Sequence, residues 1–194
     1  IPVLCMDEQP VQLVKEVKKP LPATAKHARR VDYEYERAGT ANVFMLAEPL
    51  AGWRKVVIRE TKTKIDFAVV MAELLENRYA DREKVIVVCD NLNTHTKGAF
   101  YEAFEPERAF ALASRVEFHY TPKHGSWLNI AENELSSMTR QAMHGRRFGT
   151  LASIEQQLSC WASSTNEKQR GVDWQFTVND SRTKLKHLHN KIKC

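Results

Sequence analysis

At 194 residues the chain can bury one sizeable core, or at most two small domains, and no internal boundary is convincing. Lys and Arg number 29 against 24 Asp and Glu, and the resulting net charge of +5 favours a polyanionic partner. No apolar run nears membrane-spanning length and no signal peptide or lipidation motif is present, so the expectation is a soluble cytoplasmic protein that engages no membrane.

Val3-Leu4-Cys5-Met6 is a short apolar run that stops at Asp7, the pattern of a strand covered on both faces of a sheet. Glu8 alternates to the opposite face and reads as structural. Residues 11–30 carry Lys15, Lys18, Lys19, Lys26, Arg29 and Arg30 around Pro20 and Pro22, which predicts a basic, partly extended loop. Three strands follow over 31–37, 41–48 and 53–60, separated by Ala38-Gly39-Thr40 and by a turn over 49–52. They form most simply an antiparallel meander beside the first strand. Arg54 and Lys55 fall at the tip of that meander, either as DNA-backbone contacts or as surface charge without function.

A helix over 64–79 presents Phe67, Val70, Met71, Leu74 and Leu75 on one face. It provides the crossover that lets the next strand lie parallel to the first. That strand, Val85-Ile86-Val87-Val88-Cys89, also stops at an aspartate, and Asp90 opens the motif Asp90-Asn91-Leu92-Asn93-Thr94-His95. Side by side and parallel, the two strands would deliver both carboxylates to one sheet edge, where open α/β sheets place their sites. Two carboxylates held close repel and raise a pKa unless a cation sits between them, and a divalent metal is the obvious one.

Residues 97–114 read as one or two short helices broken at Pro106, and 116–120 as a last short strand. Pro122 and Gly125 end that strand, and Ser126 is placed to cap a helix running to about residue 144. Its core-facing stripe is Leu128, Ala131, Leu135, Met138 and Ala142. Glu132 and Glu134 border the stripe on opposite sides, so only one can meet the aspartates, and periodicity does not choose between them. Trp127, at the helix start, reads as a core anchor rather than a base-stacking platform. Thr150 caps another helix with Leu151, Ile154, Leu158 and Trp161 inward. A final basic helix uses Leu185, Leu188 and Ile192, with Arg182, Lys184, Lys186, Lys191 and Lys193 as a solvated face. Cys5, Cys89, Cys160 and Cys194 lack disulfide or metal-ligand spacing and read as small buried apolar residues.

This mixed order fits an α/β, ribonuclease-H-like sheet. Five stretches carry a closer likeness: Cys5-Met6-Asp7-Glu8, Gly39-Thr40-Ala41-Asn42, Gly52-Trp53-Arg54, the motif from Asp90 to His95, and the segment from His119 to Glu132. On these, nearly the whole chain resembles the catalytic domain of the DDE transposases of bacterial insertion sequences, in the branch related to the mariner-type superfamily. In such transposases a Pro-rich turn, a Leu-Asn pair and then an acid three residues after the Asn open the last catalytic helix, which here selects Glu132.

The resemblance implies a single catalytic domain over 1–194, built on a mixed five-stranded sheet of three antiparallel strands plus two parallel ones, flanked by helices. It implies Asp7, Asp90 and Glu132 as a catalytic triad that ligates Mg2+ or Mn2+, as two ions about 4 Å apart. Asp7 would bridge the ions and the other two acids would serve one each. The activity implied is cleavage of phosphodiester bonds at transposon ends and joining of the freed 3′-hydroxyl to target DNA. The partners implied are double-stranded DNA and a second copy in a synaptic homodimer, in a nucleoid-associated setting. Asn91 and His95 belong to the motif around Asp90, where His95 either orients a phosphate or water or caps the following helix. Lys123 and His124, on the turn before the Glu132 helix, are placed to meet a phosphate. The chain departs from the family in carrying no helix-turn-helix module before Ile1 and in a longer segment between Asp90 and Glu132. A related nuclease without strand transfer, or an inactive DNA-binding remnant, are the competing readings.

Overall fold

The computed structural model describes the chain except for residues 124, 173, 174, 176, 185 and 187–194. Five strands form one mixed sheet in the order β3-β2-β1-β4-β5. Strands β1 (Val3–Glu16), β2 (Tyr35–Glu48) and β3 (Trp53–Arg59) make the antiparallel meander. Strands β4 (Val85–Cys89) and β5 (Val116–Tyr120) continue the sheet parallel to β1.

The apolar runs are continuous because both faces of the sheet are covered. Leu4, Met6, Phe44 and Leu46 point to one face. There they pack on Phe67, Met71 and Leu75 of helix α1 (Lys64–Glu76) and on the two short helices α2 (Gly98–Ala103) and α3 (Pro106–Ser114). Cys5, Val43 and Met45, one residue out of phase, point to the other face. That face is covered by α4 (Ile130–Met138) and α5 (Leu151–Glu167) through Ala131, Leu135, Met138, Ile154 and Leu158. Each large side chain buried this way contributes about 1.5–3 kcal/mol, so the two layers clamp the sheet. Capping boxes open α1 (Thr63 with Asp66) and α5 (Thr150 with Ser153), and Pro106 begins α3 at its first turn. A short helix, α6 (Val178–Lys184), lies near the end of the described part of the chain. The residues expected to form its apolar face, Leu185, Leu188 and Ile192, lie outside the described residues, as do Lys191, Lys193 and Cys194. No described helix is long and apolar enough to cross a membrane.

Four expectations are corrected. Residues 11–16 are strand, not loop: β1 runs on to Glu16, with Leu13 buried and Val11 partly buried between polar residues that face out. Only the segment after Glu16 is a loop, and Leu21 bridges Arg30 across it. The strands expected at 31–37 and 41–48 are one strand, β2, which begins only at Tyr35, so residues 31–34 lie outside it. Its interruption at Gly39 is a bulge in which Ala38 and Gly39 stand opposite Leu13, and Gly39 takes a φ of +100°. Lastly, Ser126 does not cap the helix that carries Glu132. Ser126, Trp127 and Leu128 form a 3-10 turn, Asn129 caps α4, and five residues of wider π-helical turn, Thr139–Met143, extend it. Trp127 is 37 % exposed and lies outside the core.

Candidate active site where β1, β4 and α4 meet

The pairing of β1 with β4 matches Val3 to Ile86, Leu4 to Val87 and Cys5 to Val88. Advanced by two residues, the same register brings Asp7 level with Asp90 at the end of β4. β4 ends just before Asp90, while β1 runs on past Asp7, so the two carboxylates stand side by side where the parallel pairing ends.

Glu132 joins them from the first turn of α4, and Asn129 determines how it arrives. Asn129 is buried, its side-chain amide donates to the Met6 carbonyl at 2.7 Å, and its Oδ1 accepts from the Ala131 amide at 3.2 Å. One side chain thus caps the helix and ties the helix start to β1 at the residue before Asp7. This role was missed in the sequence, where the Leu-Asn pair served only as a motif. Its legible signal was an Asn three residues before an acid.

The electrostatics reflect the crowding. The Asp7 carboxyl is pushed up to about 6, chiefly by burial and further by the negative charges of Asp90, Glu132 and Glu8. The Glu8 amide, donating to Asp7 Oδ1 at 2.8 Å, opposes the rise. Glu132 Oε2 is buried without a hydrogen-bond donor, and Asp90 Oδ1 receives no well-directed hydrogen bond although His95 Nδ1 stands 2.8 Å away. An orphaned carboxylate oxygen such as Glu132 Oε2 is costly to bury alone and suits a hard cation. The acids are not drawn around one point in advance: among the described residues no three His, Cys, Asp or Glu side chains form a ready cage.

Glu134 has a different partner. Its carboxylate meets Arg54, with Nε at 2.9 Å and Nη2 at 3.0 Å, and Arg54 is only 3 % exposed. Arg54 therefore leaves the group of DNA-facing cations. Lys55 is likewise engaged, with Glu73 of α1, and β3 lies two strands away from β1. His95 is buried, at 1 % exposure, so it neither meets a phosphate nor caps α2. Its Nε2 lies 2.9 Å from Glu8 Oε1 and its Nδ1 3.2 Å from the Asp90 carbonyl, and its ring is 5.1 Å from Phe67. Burial lowers its pKa, but Cys89 and Glu8 outweigh burial and hold the imidazole protonated, pushed up to about 10. Glu8 is structural as expected, being the buried counterion behind Asp90.

Asn91 and Lys123 border, with Asp90 and Ser126, a cleft of about 510 Å3. His124 lies outside the described residues. A larger cavity, about 680 Å3, is elsewhere, beside Arg29, Arg147 and Gln157, and none of the three acids lines it. Size is the weaker guide here, because Asp90 lines the smaller cleft.

The sequence model of the DDE superfamily endonucleases matches residues 2–155, a span that contains all three acids. No curated protein matches the chain. Among solved structures, the Mos1 mariner paired-end complex with Mn is similar at a TM-score of 0.57 and 15 % identity, over 87 % of this chain and 50 % of that one. The Mos1 strand transfer complex is similar at 0.58 and 15 %, over 87 % and 49 %. At this identity the likeness is one of fold, and the fold is ribonuclease-H-like. This chain spans about half the length of the Mos1 chains. The match of the family over most of the chain, on the sheet and acids described above, makes it a member of the DDE superfamily endonucleases.

Proposed function

We propose that this chain is the metal-dependent catalytic domain of a DNA transposase, with Asp7, Asp90 and Glu132 as its catalytic and metal-ligating acids. The observation that carries the reading is the register that brings Asp7 level with Asp90, while Glu132 raises the pKa of Asp7 from α4. Glu132 is preferred to Glu134 because Glu132 keeps an unpartnered oxygen and Glu134 is spent on Arg54.

All three acids offer hard oxygen donors, which suit two Mg2+ or Mn2+ ions. When bound, such ions supply charge stabilisation at phosphorus and an activated attacking oxygen. The chain's own residues do the rest. The Glu8–His95 pair holds Asp90 from behind, Asn129 fixes the entry of α4, and Asn91 and Lys123 meet the DNA backbone beside the acids. The reactions are cleavage of phosphodiester bonds at transposon ends and joining of the 3′-hydroxyl to target DNA, carried out as a homodimer on paired ends in a cytoplasmic, nucleoid-associated setting. Membership in the endonuclease family and the likeness to transposase–DNA complexes support this reading.

The test is a plasmid-nicking assay with Mg2+ or Mn2+, comparing wild type with Asp90→Asn, Glu132→Gln and Glu134→Gln. Metal-dependent nicking lost in the first two variants and kept in the third is expected. Loss confined to Glu134→Gln would move the third ligand, and nicking that never yields joined products would make the chain a hydrolytic nuclease.

A further inference from the structure

A second cleft, of about 280 Å3, lies on the other side of the Asp90–Asn91 turn, lined by Lys62, Leu92, Asn93 and Thr94 with Glu8 at its base. Asn91 borders both this cleft and the one that holds Lys123, so the two meet across the turn that presents Asp90.

Lys62 is unusual among its neighbours. Lys55 and Lys64 are each paired with a carboxylate, Glu73 and Glu102. Lys62 is exposed and has no ion pair among the described residues, although Glu8 lines the same cleft, because the Glu8 carboxylate is buried against His95. The backbone on both sides of Lys62 is pinned: the Thr61 and Thr63 hydroxyls and the Thr63 amide all donate to Asp66 Oδ2, at 2.5, 2.7 and 2.8 Å. Asp66 is thereby occupied and leaves the ammonium without a counterion. The other side of the cleft offers Leu92, 44 % exposed, and Thr94, whose Oγ1 is buried with no hydrogen-bond partner. An uncompensated cation on a pinned backbone, an exposed apolar side chain and an unpartnered hydroxyl together suit one ligand chemistry, a sugar–phosphate backbone.

We propose that the Lys62–Leu92–Thr94 cleft is a second phosphodiester-binding subsite, which takes the DNA strand on the side of the scissile phosphate opposite Lys123. The inference rests on the catalytic reading of Asp7, Asp90 and Glu132. A strand laid across Asp90 leaves the Lys123 cleft on one side and enters the Lys62 cleft on the other, so the two lysines neutralise different phosphates.

Salt dependence counts such contacts. Each lysine on a separate phosphate contributes about 0.9 to the slope of log affinity against log salt, and removing it lowers the slope by about one. The experiment is fluorescence anisotropy of a labelled DNA duplex over a salt series, with Ca2+ in place of Mg2+. Lys62→Ala and Lys123→Ala should each lower the slope by about one, and the double variant by about two. Lys62→Arg should keep the wild-type slope, and Lys64→Ala should leave it unchanged. An unaltered slope in Lys62→Ala beside a lowered one in Lys123→Ala would overturn the subsite alone. A double variant no lower than Lys123→Ala would place both lysines on one phosphate and overturn it too. No salt-dependent binding by wild type, or no effect of either lysine, would sink the catalytic placement with it. Lys62→Ala should keep the wild-type melting temperature, so a folding defect would show directly.

Discussion

Arg54 on β3 and Glu134 on α4, 80 residues apart in sequence, form a nearly buried ion pair across the face of the sheet, with Nε 2.9 Å from Oε2. The Arg54 guanidinium also donates to the Gly52 and Arg170 carbonyls, and its backbone amide donates to Asn166 Oδ1 at 2.9 Å. One arginine therefore joins the meander, α4, α5 and the segment after α5. Removing one member of such a pair leaves the other charge buried and costs about 3–5 kcal/mol. Arg54→Met should lower stability by that amount in urea unfolding. The double variant Arg54→Met with Glu134→Met should recover much of it, since well-packed apolar replacements of a buried pair are often near neutral.

Asp7 predicts a pH dependence with a definite sign. Its pKa stands at about 6 in the folded chain against an ordinary 3.8, so the folded state holds the proton more tightly. The stability this brings is fully present below the ordinary value and is lost as pH rises through about 6. Metal-free protein should thus weaken in urea as pH rises across that window, and Asp7→Asn should flatten the trend. Divalent metal should reverse it, because the same carboxylate must lose its proton to bind. Titration of Mn2+ affinity against pH should show a fall below about pH 6.

Asn129→Ala should do more harm to activity than to stability. Losing the cap costs about 1 kcal/mol, and leaving the buried Met6 carbonyl unpaired adds about 1–3 kcal/mol. The greater effect is on Glu132, three residues on, which loses its tie to β1. Asn129→Asp keeps the capping acceptor but sets a carboxylate oxygen against the Met6 carbonyl. If melting temperature and nicking rate fall in proportion in both variants, Asn129 has no positioning role.

His95→Leu should be severely destabilising, because it strands the Glu8 carboxylate, 3 % exposed, without its partner. Glu8→Leu in the same chain should restore much of the melting temperature without restoring activity, since Asp90 then has no support behind it. Full activity in the double variant would show that the pair only fills space.

Gly52, where the chain turns into β3, has a φ of +61°, and a Cβ there would come within 2.8 Å of the Gln169 backbone. Neither atom set can yield as a flexible side chain would. Gly52→Ala should cost more than about 1 kcal/mol and should loosen the contact between the meander and the end of α5, read as faster proteolysis near residue 169.

The apolar runs before Asp7 and Asp90 were legible because strand segments covered on both faces read as unbroken apolar runs, and the acids that follow them stand out. Residues 11–16 were hidden because half of that stretch faces solvent and its charges resemble a loop. The cap of α4 was misplaced because Ser126 and Asn129 are both good capping residues. The structure favours Asn129 since a tight turn, with the Gly125 amide on the Pro122 carbonyl at 2.8 Å, uses up the residues before Ser126. The burial of Arg54 was not legible at all. Nothing local distinguishes an arginine at a strand start that meets DNA from one that meets a glutamate 80 residues later. The choice between Glu132 and Glu134, which helical period left open, turns on that same contact.

The parallel pairing of β1 with β4 has a further consequence during synthesis. Asp7 is made before Asp90, which waits for the crossover through α1, and Glu132 follows later still, on a helix near residue 130. Contacts so distant along the chain close late in folding. A nascent or half-folded chain therefore keeps these three acids apart, and only the finished sheet, with α4 packed on it, brings them to one end of β1 and β4.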